Sequence, residues 1–201
     1  MGCNTPKLSG LPLFKKDVWG IRRDAGEPMM RDLNRRKRRL MPFSGTSPIV
    51  RLRPGDIYFD PAPHRLVTLL GSCVAVCLWD RRLRMGGMTH SLLPRSIEGR
   101  CDRTGRGADA AVEELVRQMG AAGCRSVDMV AKMFGGFTAL SSLRSRPSIG
   151  AANVESAVRA LTALKIEVVA QEIRGEGGIV IYQNTETGEV SGRPVGILGR
   201  A

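Results

Sequence analysis

After about residue 50 the hydrophobic positions alternate or cluster in short blocks, and the period changes from one element to the next. Asp56-Ile-Tyr-Phe-Asp60 reads as a first short strand closed by Pro61-Ala-Pro63, and Leu66-Val-Thr-Leu-Leu70 as a second that runs into the tight turn Gly71-Ser-Cys73. From Val74 to His90 the pattern is strand, short polar turn and strand, a hairpin. Residues 94–107 are polar, basic and rich in Gly, the composition of a loop that covers a site. Ala108, Ala111, Val112, Leu115, Val116 and Met119 then recur at helical spacing and stop at Gly120 and Gly123. Val127, Met129, Ala131 and Met133 alternate as a half-buried strand leading into Phe134-Gly-Gly-Phe137. A second helix is predicted from Ser148-Ile-Gly150, with Ala152, Ala157, Val158, Leu161 and Leu164 on its inner stripe. A strand over 165–173 follows. The last pair is 178–184 and a return strand from Gly188-Glu-Val190, joined by Thr185-Glu-Thr187. Hairpins at both ends with helices between them predict an α+β fold, because a doubly wound parallel sheet needs strict alternation of strand and helix.

Residues 1–50 show neither period and carry Gly, Pro and charge throughout. They are expected to be a basic, disordered extension, leaving residues 51–201 as the domain. Eleven Lys or Arg against four Asp or Glu put +7 of the chain's net +12 in this first quarter. The densest block, Arg35-Arg36-Lys37-Arg38-Arg39, could neutralise phosphates. A solvated, disordered tail is the preferred reading, and nucleic acid is not expected as the main partner. Met29, Met30 and Met41 are candidate alternative starts within the extension.

Composition narrows the class. Hydrophobic residues make up 42% and aromatics 4%, so Val, Ile, Leu, Ala and Met must fill the core. No apolar run approaches the roughly 18–20 residues of a membrane helix, so no membrane insertion is expected. Lys7, Lys15, Lys16 and Asp17 interrupt the N-terminal stretch where a secretory signal would be apolar, which fits a cytoplasmic protein. Five cysteines, Cys3, Cys73, Cys77, Cys101 and Cys124, are odd in number and irregularly spaced, against a disulfide framework and for a reducing compartment. Cys73 and Cys77 lack a second pair of ligands, so no metal site is expected.

The hairpin carries the chemistry. The midpoint between Cys73 and His90 falls between Arg81 and Arg82, so a simple hairpin would set the thiol opposite the imidazole, a nucleophile beside its base. A free thiol is only a few per cent thiolate at neutral pH, and His90 supplies the base that attack on an amide requires. Gly71 and Ser72 let the backbone turn tightly and offer main-chain N–H groups, with that of Cys73, to a developing oxyanion. Thr68, on the strand entering the turn, has a hydroxyl that could orient the imidazole. Cys77, deeper in its strand, is expected in the core. His64, the only other histidine, is expected in a surface loop between Pro63 and Arg65.

Leu69-Leu-Gly-Ser-Cys-Val-Ala-Val-Cys-Leu-Trp-Asp80 followed by Gly86-Gly-Met-Thr-His-Ser-Leu-Leu-Pro94 resembles the CheD family of chemoreceptor glutamine deamidases. Lys132-Met-Phe-Gly-Gly136, Ile149-Gly-Ala-Ala-Asn-Val-Glu155 and Asn184-Thr-Glu-Thr-Gly-Glu-Val190 agree with it. The resemblance implies a layered sandwich of mixed sheets with flanking helices, similar to the catalytic domain of cytotoxic necrotizing factor. It implies a Cys-His-Thr arrangement, with Cys73 as nucleophile, His90 as acid–base and Thr68 as the nearest upstream match for the third member. It also implies deamidation of receptor glutamines without a cofactor. A second reading makes the chain a regulatory protein that docks on the phosphatase CheC, with catalysis secondary. Two positions depart from the family pattern: Thr89 stands where Asn is frequent before the histidine, and Gly178-Ile-Val180 is apolar where a basic residue is expected.

Overall fold

The computed structural model describes residues 46–94, 105–137, 148–173 and 177–195. Within them the fold is α+β, built from two mixed sheets and two helices. The four-stranded sheet has the order β1 (Ile49–Arg51), β3 (Arg65–Leu70), β8 (Gly178–Asn184) and β9 (Val190–Val195). The five-stranded sheet has the order β2 (Ile57–Phe59), β5 (Met85–Ser91), β4 (Val74–Asp80), β6 (Met129–Gly135) and β7 (Glu167–Ile173). Each contains one parallel pair, β1 with β3 and β6 with β7.

Strand alternation explains the layering. Ala75, Cys77, Met88 and Phe134 on one face of the five-stranded sheet pack against Leu66, Leu70, Ile179 and Ile181 of the other sheet. Val74, Val76, Leu78 and Met133 on the opposite face meet Val112, Leu115 and Met119 of α1 (Ala108–Ala121) and Val154, Ala157 and Leu161 of α2 (Ile149–Ala163). Fully burying one such side chain contributes about 1.5–3 kcal/mol. β4 and β6 are therefore covered on both faces.

Several expectations change. The strand expected from Val127 as half-buried starts at Met129 and is wholly buried. Val127 sits in the 3₁₀ turn Ser126–Asp128, 77% exposed, because the alternation that suggested it continues across a turn. The fold also begins before Arg51. Ile49–Arg51 pairs with β3, and Arg65 donates from its backbone N to Pro48 O and from Nε to Ser47 O. Residues 1–45 lie outside the described residues, as do Cys3, Cys101 and most of the 94–107 loop. α2 is capped by Ser148, whose Oγ accepts from Ala151 N. Its buried stripe includes Gly150, Asn153, Ser156 and Ala160, while the expected Ala152 and Leu164 are only partly buried.

The hairpin forms with a different register. Val74 pairs with Ser91, Ala75 with His90 and Asp80 with Met85, so His90 does not face Cys73. Asp80 Oδ1 accepts from the N–H groups of Arg82 and Leu83, and Arg84 takes a left-handed φ of 56°. Together they make a loop of residues 81–84, which moves the centre of the turn by one residue. Cys73, just before β4, lies diagonally from His90 rather than opposite it.

Candidate active site

Leu66, Thr68 and Leu70 share the inward face of β3, and Thr68 is the polar member of that buried row. Its Oγ1 is 2.7 Å from His90 Nδ1 and donates to Leu52 O at 2.9 Å. A hydroxyl has one hydrogen, and a carbonyl can only accept, so the hydroxyl must accept from Nδ1–H. The imidazole is therefore held with its proton on Nδ1 and its lone pair on Nε2. Nε2 is buried and has no hydrogen-bond partner among the described residues.

The segment before β2 holds the same histidine by its main chain. His90 N donates to Asp56 O at 2.9 Å, and Gly55 N donates to His90 O at 2.7 Å. Burial pushes the imidazole pKa below its ordinary value, opposed by the Asp56 carboxylate and the Leu52 carbonyl. His90 is thus a neutral base at neutral pH.

Two thiols flank Ala75 by two residues, and both share the face on which His90 lies. Exposure separates them. Cys77 is buried, with its pKa pushed up to about 12 by burial despite the neighbouring Lys132 ammonium. Cys73 is half-exposed, and burial raises its pKa above the ordinary value, opposed by its own backbone N–H. The resting pair is a neutral thiol and a neutral imidazole, not hydrogen-bonded to each other in this structure.

The Cys73 turn is gripped from two elements. Gly136 N donates to Cys73 O and Phe137 N to Gly71 O, both at 2.9 Å. Gly135 has φ +103°, and a Cβ there would collide with the Cys73 carbonyl. Gly136 in turn meets Gly150 at the start of α2, where a Cβ would lie 2.7 Å from Gly136 O. From the same helix the buried Asn153 donates through Nδ2 to Ser72 O at 3.2 Å and Leu92 O at 3.0 Å. Around Gly71 there is open space, Ser72 is exposed, and the N–H groups of Ser72 and Cys73 donate to no backbone carbonyl among the described residues.

The structure thus brings Thr68 onto His90, with Cys73 diagonal to it and Gly71 and Ser72 in the adjoining turn. His64 stands apart, its Nδ1 bonded to Ala62 O and its ring edge-on to Tyr58. Thr89 points to the helical face, where its hydroxyl accepts from Val76 N, so it does not touch the imidazole. Asn153 and the Leu52–Asp56 segment were given no role at the site from the sequence. The Gly135-Gly136 pair stood there as the end of a strand and as part of a family-like stretch, also without a role. Among the described residues no three His, Cys, Asp or Glu cluster as metal ligands, and no helix is long and apolar enough to cross a membrane.

A family model described as CheD chemotactic sensory transduction matches residues 92–193. The chain belongs to the CheD family. The CheD match begins two residues after His90 and takes in both helices, β6 to β8 and the first part of β9. A protein of Rhodospirillum rubrum named probable chemoreceptor glutamine deamidase CheD is 40% identical over 144 residues, 72% of this chain and 81% of its own. One of the same name from Trichlorobacter lovleyi is 42% identical over 149 residues, 74% and 88%. Another from Methanococcus vannielii is 32% identical over 143 residues, 71% and 93%.

Proposed function

We propose that this CheD protein deamidates glutamine side chains of chemoreceptors, with Cys73 as nucleophile, His90 as general acid–base and Thr68 as the group that orients it. The reading is carried by the imidazole whose Nδ1–H is bound by Thr68, which leaves Nε2 as an unpaired base on the face that Cys73 adjoins. The names of the relatives supply the substrate class.

The reaction follows from these positions. As Cys73 Sγ attacks the carboxamide carbon, Nε2 takes the thiol proton and the carbonyl oxygen becomes an oxyanion facing the Ser72 and Cys73 N–H groups. The protonated imidazole then gives its proton to the departing nitrogen, and ammonia leaves a glutamyl thioester. Water attacks the thioester, again losing a proton to Nε2, and the thiol is restored with glutamate as product. No metal or organic cofactor enters this scheme. Because thiol and imidazole start neutral, the proton moves during the attack rather than before it. Cys73 must also approach His90 when substrate binds, since catalytic hydrogen bonds often tighten only in the complex.

The layering of sheet on sheet with helices outside supports the further reading that the fold is like the catalytic domain of cytotoxic necrotizing factor. Ammonia release from a receptor cytoplasmic fragment, measured with wild type, Cys73→Ala and His90→Ala, tests the function. Release by wild type alone supports it. No release from any cognate receptor, by a folded protein, would sink it and favour the CheC-docking reading.

A further inference from the structure

We infer that Asn153 is a positioning residue that sets the spacing between the Cys73 thiol and the His90 imidazole. The inference rests on the deamidase reading above for its meaning, and on hydrogen bonds for its substance.

The ladder between β4 and β5 ends at Val74 and Ser91. Beyond it the strands diverge, because the N–H groups of Leu92 and Leu93 both turn to Arg106 O and β5 leaves its partner. Cys73 lies one residue beyond the last pair on one strand, and His90 one residue inside it on the other. Each end is anchored elsewhere, the Cys73 turn to Gly136 and Phe137 and the end of β5 to Arg106, but among the described residues no backbone bond joins the two ends to each other beyond Val74 and Ser91. The Asn153 side-chain amide fills that gap. Its two N–H donors reach Ser72 O, immediately before Cys73, and Leu92 O, two residues after His90. A single rigid amide thus bridges the two strand ends where the backbone ladder has stopped.

The amide is itself immobilised. Asn153 is fully buried, and the first turn of α2 is seated by the Gly150–Gly136 contact, whose Gly136 N–H holds the Cys73 carbonyl. Nucleophile turn, base strand and helix therefore form one block. Asn153 Oδ1 is buried with no partner among the described residues. An orphaned acceptor is an unfavourable feature in a core, so the position is explained by its donors and not by packing alone. Asn153 touches no reacting atom. Its effect on the chemistry passes through the distance and angle between Sγ and Nε2, to which catalysis is steeply sensitive.

The experiment uses the full chain with Asn153→Asp, which replaces both donors by a carboxylate at nearly constant shape, and Asn153→Ser, which is neutral and offers one hydroxyl donor on a shorter side chain. Two quantities are read on the folded fraction, determined by circular dichroism: steady-state deamidation of a receptor fragment, and the rate of Cys73 alkylation by iodoacetamide against pH, followed by peptide mass spectrometry. His90→Ala provides the uncoupled reference for alkylation. The expected result is a fall in kcat of about ten-fold or more for Asn153→Asp with KM nearly unchanged, a smaller fall for Asn153→Ser, and an Asn153→Asp alkylation profile that moves toward that of His90→Ala. A purely structural role would lower the folded fraction and leave kcat per folded molecule and the alkylation profile at wild type. That result in whichever variant folds overturns the inference. If wild type itself fails to deamidate, the proposed function fails, and the alkylation profiles alone still decide whether Asn153 couples the two side chains.

Discussion

Thr68 accepts a hydrogen bond from His90 while giving its own proton to Leu52 O, and that order of donation makes Nε2 the basic nitrogen of the imidazole. A donor at position 68 with no lone pair to offer would fix the opposite tautomer, and a side chain with no polar atom would leave the tautomer unspecified.

Thr68→Val is therefore expected to lower kcat for deamidation by about 10-fold or more, within the range general acid–base groups contribute. It also leaves the buried Leu52 carbonyl without its donor, which costs about 1–3 kcal/mol. Thr68→Ser should retain most of both. Steady-state kinetics and urea unfolding of the two variants, side by side, check this. Equal kcat for Val and Ser would contradict it.

The pH profile of kcat/KM should be broad. Protonating His90 removes the base, and since burial holds its pKa below the ordinary 6.5, the acid limb is expected below that value. Ionising the thiol removes the proton that must reach ammonia, and since burial holds that pKa above 9.0, the alkaline limb is expected beyond it. Activity measured from pH 4 to 11 would show a plateau between the limbs. An alkaline limb below 9.0 would indicate a preformed thiolate–imidazolium pair instead, and an acid limb above 6.5 would contradict the buried neutral imidazole.

Gly135→Ala forces a Cβ onto the Cys73 carbonyl and places a side chain at φ +103°. The strained backbone is expected to cost about 1–3 kcal/mol, and the displaced turn should lower activity of the molecules that remain folded. Thermal unfolding together with activity per folded molecule would show both losses. Wild-type values for each would contradict the close approach.

Among the described cysteines, alkylation should discriminate by environment. Cys73 is half-exposed, whereas Cys77 and Cys124 are buried with pKa values pushed up to about 12 and about 11. Only the thiolate reacts, so iodoacetamide near neutral pH should modify Cys73 first and the other two only on unfolding. Peptide mapping over time reads the order directly.

Most of the element order could be read from hydrophobic periods, because both helices bury one stripe and the strands are short apolar runs bounded by turns, even β4 and β6, which are covered on both faces. Thr68 and His90 could be paired because one lay on a strand beside the turn and the other at the far end of a hairpin. What could not be read was the register. It depends on the Asp80 carboxylate accepting two turn N–H groups and on Arg84 adopting a left-handed φ, neither of which alters the alternation of apolar residues. Asn153 was hidden for a related reason. A polar residue within a helical stripe reads as solvent-facing until the carbonyls that need its donors are known, and those come from residues 72 and 92. The pairing of β1 with β3 was missed because three residues are too short to display a period.

The central claim is that Cys73 forms a glutamyl thioester which water, activated by His90, resolves. Tandem mass spectrometry of a receptor fragment treated with wild type, Cys73→Ala and His90→Ala in water enriched in heavy oxygen tests it most directly. The expected result is glutamate at specific former glutamines, each carrying a single heavy oxygen atom, with wild type only. Conversion that persists in Cys73→Ala, or none with wild type on its cognate receptor, would contradict it.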